Sequence, residues 1–186
     1  MHIIQIKYKE NLNTRKLLDD ILVIVYTFSM SKKLIIALHG IANSGKTSAL
    51  TALRDSLQQK LPNYVEDLSR EPDFIGHFPT ERVNIGISTA GDYADCIQEG
   101  IQELHAASCD LIFIATRTKG ATTETLERLA SQYGYEWVWM GKEWIRDFTP
   151  LCNRNPISSN KLTDMFCNHF TESAEEIIRL LYPGLI

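Results

Sequence analysis

One stretch of the sequence has the residue types needed to hold phosphate groups. From Gly40 to Thr47 the chain reads Gly-Ile-Ala-Asn-Ser-Gly-Lys-Thr, which meets the pattern G-x-x-x-x-G-K-[ST] in full. Glycines let backbone N–H groups approach phosphate oxygens closely, and a following helix directs its positive N-terminus at the anion. Lys46 would reach the β- and γ-phosphates, and the Thr47 hydroxyl would ligate Mg²⁺. The predicted contacts with a nucleoside triphosphate are Gly40, Ile41, Ala42, Asn43, Ser44, Gly45, Lys46, Thr47 and Ser48.

The residues around this loop predict the strand and the helix that must hold it. Residues 34–38 form a continuous apolar run, as expected for a buried parallel strand. Leucines at helical spacing from Thr47 to Leu61 predict a helix that ends at Pro62. Four more strands are predicted at 64–68, 83–87, 110–115 and 135–140, and three more helices begin near Tyr93, at Thr122 or Thr123, and before Phe166. This alternation predicts an α/β fold with a doubly wound, mostly parallel five-stranded sheet and helices on both faces.

With this context, residues 33–182 resemble the P-loop NTPase superfamily, which implies that ligands lie at the carboxyl ends of the strands. The resemblance also implies an aspartate that holds magnesium, directly or through water, at the end of a strand next to the phosphate loop. Asp92, in the run Ser88-Thr89-Ala90-Gly91-Asp92, is the predicted metal ligand together with Thr47. Ser88 stands where that acid more usually lies. The alternative role for Asp92 is to cap the helix that begins at Tyr93.

Two details are similar to the small GTPases. Residues 43–47 match the N-x-G-K-[ST] form of their first motif, and Ser88-Thr89-Ala90-Gly91 matches their D-T-x-G motif with serine in place of aspartate. Guanine recognition in that family uses N-K-x-D after a strand. The nearest strings, at 118–121 and 141–144, lack the aspartate. The missing guanine motif favours ATP over GTP.

Cationic residues on the same rim would stabilise charge on a transferring phosphoryl group. Arg117 and Lys119 follow the strand at 110–115, and Lys46, Asp92 and Arg117 are the predicted catalytic residues. Residues 69–82 would bind a second substrate or form an ordinary connection. Residues 141–160 would close over the site as a lid or would likewise form an ordinary connection. The polar residues of these two segments include Arg70, Asp73, His77, Arg82, Arg146, Asp147, Arg154 and Asn155.

Three functions fit these residues. The first is a small P-loop kinase that moves the γ-phosphoryl group of ATP to a nucleotide or another small molecule. The second is an ATPase or GTPase-like switch that is read by a partner protein. The third is a nucleotide-binding module with little turnover. The substrate segments and the missing guanine motif favour the first, while no acceptor-specific motif identifies the second substrate.

Composition narrows the class of protein further. The 186 residues are 44% hydrophobic and carry a net charge of −4, which predicts a folded domain and does not indicate nucleic-acid binding. Residues 30–186 are expected to form the nucleotide-binding domain. Residues 1–29 would be an appended arm, preceding a natural start at Met30, or a helix from 12 to 28 packed on the domain. The apolar run at 21–28 is too short to span a bilayer and follows two aspartates, so a cytoplasmic protein is expected.

Overall fold

The computed structural model describes residues 33–140 and 159–186, except for the side chains of Arg70 and of residues 159–162. This part of the chain folds into six strands and four helices. In chain order they are β1 (Leu34–His39), α1 (Lys46–Gln58), β2 (Val65–Arg70), β3 (Asp73–Phe78), β4 (Ile85–Ser88), α2 (Ala94–Ala106), β5 (Leu111–Thr116), α3 (Ala121–Tyr133), β6 (Glu136–Met140) and α4 (Ser159–Leu181).

Several sequence predictions concern residues outside these ranges. They are the arm at 1–29 and the polar residues Arg146, Asp147, Arg154 and Asn155 of the predicted lid. Among the described residues, no helix combines the length and the apolar character needed to cross a bilayer.

The six strands form one mixed sheet in the order β2-β3-β4-β5-β1-β6. Neighbours from β4 through β6 are parallel, whereas β2 and β3 form an antiparallel hairpin and β3 also runs antiparallel to β4. The α/β class is therefore confirmed, but the expectation of five strands misses β3, which lies inside the segment 69–82. Gly76 and His77 interrupt the apolar pattern of β3. A Cβ at Gly76 would lie 2.4 Å from the Tyr64 hydroxyl oxygen, so glycine makes room for the Tyr64 ring.

The position of β5 changes the expected neighbours of the predicted phosphate loop at 40–47. β5 pairs with β1 on one side and with β4 on the other, so β4 does not lie beside β1. The strand that leads to Asp92, β4, was predicted to lie next to the strand that leads to the loop, β1. That prediction is wrong, because β5 lies between them. The residues that follow β5, beginning with Arg117, emerge beside the phosphate loop instead.

Helices cover both faces of the sheet, as predicted. Leu34, Ile36 and Leu38 of β1 pack in one apolar cluster with residues of α1 and α4. The alternate residues Ile35 and Ala37 pack in a second cluster with α2 and α3. Because successive side chains of a strand point to opposite faces, an unbroken apolar strand supplies both clusters. β1 is therefore held rigidly from both sides just before the loop begins.

Helices α1 and α4 are joined by a buried carboxylate. Glu175 is 6% exposed and accepts hydrogen bonds from the Ser56 hydroxyl at 2.6 Å and from Arg179 at 2.9 Å, as well as from the Lys60 ammonium. Burial alone would raise the pKa of Glu175, but the hydrogen bonds from Lys60 and Ser56 and the nearby cations outweigh burial and lower it. The charged form of Glu175 therefore holds the two helices together.

We expect Glu175→Gln to destabilise the fold by about 1.5–3 kcal/mol, the usual range for hydrogen bonds to a charged group. Since the folded pKa lies below the ordinary value of 4.5, the stabilisation is complete above that value and is lost as pH falls through the folded pKa. Urea unfolding of the variant and the wild type at pH 7 and at lower pH measures this difference in the free energy of unfolding. Glu176→Gln is the matched control because the 3.3 Å pair of Glu176 with Arg179 is exposed. Equal effects of the two variants would contradict the role of Glu175.

Candidate functional site

The loop at 40–45 joins β1 to α1 through a backbone that includes left-handed residues. Asn43 has a φ of 57° and Gly45 a φ of 82°. Gly45 is the N-cap of α1, and the Gly40 N–H donates to the Thr116 carbonyl at 3.2 Å, which ties the loop to the end of β5. Backbones that alternate between right- and left-handed conformations form concavities of N–H groups that bind anions. The local geometry therefore suits the predicted role of this loop.

Lys46 is the first residue of α1, and its side chain folds back over the loop. The residue is only 7% exposed, and its ammonium donates to the Ile41 carbonyl at 2.7 Å and to the Gly40 carbonyl at 3.2 Å. Burial lowers the pKa of Lys46, the negative charge of Asp92 raises it, and the positive charge of Arg117 lowers it again. The predicted residues Lys46, Asp92 and Arg117 thus lie within electrostatic range of one another on the same rim.

Asp92 and Arg117 form an ion pair at the carboxyl ends of β4 and β5. The Arg117 guanidinium donates to the Asp92 carboxylate at 3.0 Å, with the two side chains 38% and 61% exposed. Such an exposed pair adds little to stability, about 0–1 kcal/mol. The N-cap of α2 is Tyr93, so Asp92 does not occupy the capping position that the alternative interpretation gave it. The helix that follows β5 likewise begins after Gly120, not after Thr122 or Thr123.

The loop that carries Asp92 lies tightly against β5. A Cβ placed on Gly91 would be 2.3 Å from the Ala115 carbonyl oxygen, closer than any real contact. Ser88, which precedes this loop, is fully buried, and its hydroxyl would be 2.5 Å from a Cβ at Gly100 of α2. Ser88, which stands where the acid of the resembled superfamily more usually lies, therefore faces α2. Lys119, further along the β5 rim, is exposed.

A carboxylate that sequence reasoning did not assign lies beside the phosphate loop. The Thr47 hydroxyl donates to the Asp73 carboxylate at 3.5 Å, across from the first turn of α1 to the start of β3. Of the other polar residues proposed in 69–82, His77 pairs with Asp67 at 2.7 Å and Arg82 donates to the Pro183 carbonyl at 2.7 Å. The sequence signal for Asp73 was its place immediately before the apolar pair Phe74-Ile75, which marks the start of a strand.

A cleft of about 530 Å³ opens between the first turns of α1 and the hairpin of β2 and β3. Its lining includes Thr47, Thr51, Glu66, Ser69, Asp73 and Phe74. Arg54 also borders the cleft, where it pairs with Asp55 at 2.8 Å and lies 4.5 Å from the centre of the Phe74 ring. Because Thr47 also lines the cleft, a molecule in the cleft would lie next to the predicted phosphate loop at 40–47.

Helix α4 packs against the phosphate loop from one side. A Cβ at Gly45 would lie 3.6 Å from the Phe166 ring and 3.9 Å from the Thr163 methyl group, both ordinary contacts. On the opposite face, His39 at the end of β1 is buried with its ring centre 4.8 Å from that of Trp139. His39 therefore packs against the sheet, and Trp137 and Trp139 border the core cluster of α2 and α3.

Within the described residues, no group of three or more histidine, cysteine, aspartate or glutamate side chains could hold a metal ion. No family model, no curated protein and no solved structure matches this chain.

Proposed function

We propose that this protein binds ATP with Mg²⁺ on the loop 40–47 and transfers the γ-phosphoryl group to a small molecule held in the adjoining cleft. The observation that carries the proposal is the position of Thr47, which lies at the end of the phosphate loop and also lines a cleft of about 530 Å³. That volume is within the range of small-molecule sites. Phosphoryl transfer requires two substrates to be held side by side, and a phosphate-binding loop next to a separate cleft provides that arrangement.

Each predicted residue has a task in this reaction. The backbone of residues 40–45 and the N-terminus of α1 would hold the phosphates. Lys46 would exchange its bonds to the Gly40 and Ile41 carbonyls for bonds to phosphate oxygens. Arg117 would face the charge that develops on the transferring group, and Asp92 orients Arg117 through their 3.0 Å ion pair.

The oxygen donors beside the loop fit Mg²⁺. Thr47 contributes a hydroxyl, and carboxylates are available at Asp73, whose contact with Thr47 is 3.5 Å, and at Asp92, the ligand predicted from sequence. Mg²⁺ usually binds through one or two protein oxygens together with substrate phosphates and water, so a larger cluster is not required. When bound, it would neutralise charge on the β- and γ-phosphate oxygens.

The proposal is tested by incubating the protein with ATP, Mg²⁺ and pools of nucleotides, nucleosides, sugars and amines, while ADP formation is followed. ADP formation that depends on an acceptor, together with a phosphorylated acceptor detected by mass spectrometry, is the expected result. Binding of ATP without acceptor-dependent ADP in any pool would contradict phosphoryl transfer to these classes.

A switch that is read by a partner protein is the second candidate. It is favoured by two apolar side chains exposed on the rim of the site, Ile41 in the phosphate loop, at 61%, and Tyr93 beside Asp92, at 73%. Slow ADP formation without any acceptor would support the switch. Binding without turnover would support a nucleotide-binding module, and a parallel titration with GTP would test the preference for ATP.

A further inference from the structure

A carboxylate within hydrogen-bonding distance of the predicted metal-binding hydroxyl belongs to Asp73, on the outer antiparallel part of the sheet. Asp73 Oδ1 lies 3.5 Å from Thr47 Oγ1, although the two residues are far apart in sequence. Asp73 is only partly exposed and borders the cleft. It therefore lies between the site expected for the γ-phosphate and the space for a second substrate.

The backbone next to Asp73 is held in place by Thr89, which follows β4. The Phe74 N–H donates to the Thr89 hydroxyl at 2.8 Å, and that hydroxyl donates in turn to the Phe74 carbonyl at 3.3 Å. The Thr89 N–H also donates to the Phe74 carbonyl, at 3.0 Å. Thr89 is 2% exposed, so water does not compete for these bonds. These bonds attach the first residues of β3 to the end of β4 and limit the movement of Asp73.

The distance between the two oxygens is compatible with a shared magnesium ion. Mg²⁺ binds oxygen at about 2.0–2.1 Å in an octahedron, so two adjacent ligands lie about 2.9 Å apart. A shift of about 0.6 Å would bring Thr47 and Asp73 to that separation, and a water bound to the metal would bridge a longer one. We infer that Asp73 is the protein carboxylate that holds the nucleotide-bound Mg²⁺ together with Thr47, with Thr89 as its positioning residue. This inference rests on the proposed function.

Asp92 is the competing ligand, and its surroundings differ. Its carboxylate is paired with Arg117 and its side chain is 61% exposed. A metal ion would have to compete with that guanidinium, whereas the contact of Asp73 is with the Thr47 hydroxyl itself. The inference therefore assigns Asp73 to the metal and leaves Asp92 as the partner of Arg117.

Binding of Mn²⁺, as a paramagnetic substitute for Mg²⁺, tests the assignment without any turnover. Electron paramagnetic resonance would measure Mn²⁺ affinity in the presence of the non-hydrolysable analogue AMP-PNP, and calorimetry in EDTA would measure AMP-PNP alone. We expect Asp73→Asn to weaken Mn²⁺ binding by about 10–100-fold, while metal-free AMP-PNP affinity stays within about twofold of the wild type. Asp55→Asn is the matched control, because it removes a carboxylate from the same cleft and should leave Mn²⁺ affinity unchanged.

Thr89 provides a second test that leaves every proposed ligand in place. Thr89→Val should weaken Mn²⁺ binding and Thr89→Ser should restore it, because only serine keeps the hydroxyl that bonds to Phe74. Wild-type Mn²⁺ affinity in Asp73→Asn, or a loss confined to Asp92→Asn, would overturn the assignment and leave the proposed function standing. Failure of the wild-type protein to bind AMP-PNP would instead overturn the proposed function, and this inference with it.

Discussion

Replacing Lys46 with methionine is expected to lower the affinity for ATP by about 10–150-fold, the equivalent of one charge-assisted hydrogen bond of about 1.5–3 kcal/mol. Phosphoryl transfer should fall further, by about 100-fold or more, because the ammonium would also face charge that develops in the transition state. Methionine keeps most of the length of the side chain and removes only its charge and its donors. Calorimetric titration with AMP-PNP and the rate of acceptor-dependent ADP formation measure the two effects.

The fold should tolerate this change. Lys46 donates to the Gly40 and Ile41 carbonyls, and the bond to Ile41 is only partly buried, so water can replace the ammonium at that carbonyl. Lys33→Met is the matched control, since Lys33 directly precedes β1, at the opposite end of this strand from the phosphate loop, and lies over the Tyr135 ring. A Lys46→Met protein that binds ATP as tightly as the wild type would contradict the phosphate-loop assignment.

Among substitutions that add one methyl group on the rim of the site, Gly91→Ala is expected to lower stability and phosphoryl transfer the most. Its Cβ would lie 2.3 Å from the Ala115 carbonyl oxygen and 2.5 Å from the Ala115 carbonyl carbon, and backbone atoms cannot move aside as a side chain does. The loop must therefore separate from β5, which carries Asp92 away from Arg117. We expect a loss of about 1–3 kcal/mol in the free energy of unfolding, as for other overpacked sites, together with a loss of phosphoryl transfer.

Gly86→Ala separates these two consequences. Its Cβ would lie 2.8 Å from a Leu104 methyl group and 3.0 Å from the Cys109 sulfur, within the core cluster of α2 and α3 and away from the rim. Both variants should lower the urea midpoint, but only Gly91→Ala should reduce transfer by the protein that remains folded. Equal transfer rates for the two folded variants would indicate that the loop at Gly91 does not position the site.

Local patterns in the sequence were sufficient for much of the fold. β1 is a continuous apolar run and α1 has leucines at helical spacing, and both elements form at those positions, although α1 ends at Gln58 and not at Pro62 as predicted. Helices on both faces also follow from the apolar runs at 34–38 and 111–115, because every residue of β1 and β5 is buried. These features depend on residues close together in the chain, so the spacing of apolar residues along the sequence is enough to predict them.

The candidate site was only partly predictable. The pattern from Gly40 to Thr47 identified the loop, and the strand ends identified Asp92 and Arg117, which the structure brings into a 3.0 Å pair. Asp73 was placed in a possible substrate segment but was not assigned to the metal. Asp73 begins β3, and Gly76 and His77 weaken the apolar pattern from which that strand would have been predicted.

The amino-acid sequence by itself determined a loop of G-x-x-x-x-G-K-[ST] pattern between a buried strand and a helix, and it predicted phosphate binding there, because glycine, lysine and threonine at this spacing act through local geometry. Tertiary structure decided which strand lies beside that loop and which carboxylate reaches Thr47. β5 lies between β1 and β4, and the hairpin of β2 and β3 brings Asp73 to Thr47. Strand order and the position of the hairpin depend on pairing between segments that are distant in the sequence. The free energy of that pairing comes from side-chain packing between those segments, which a local sequence pattern does not describe.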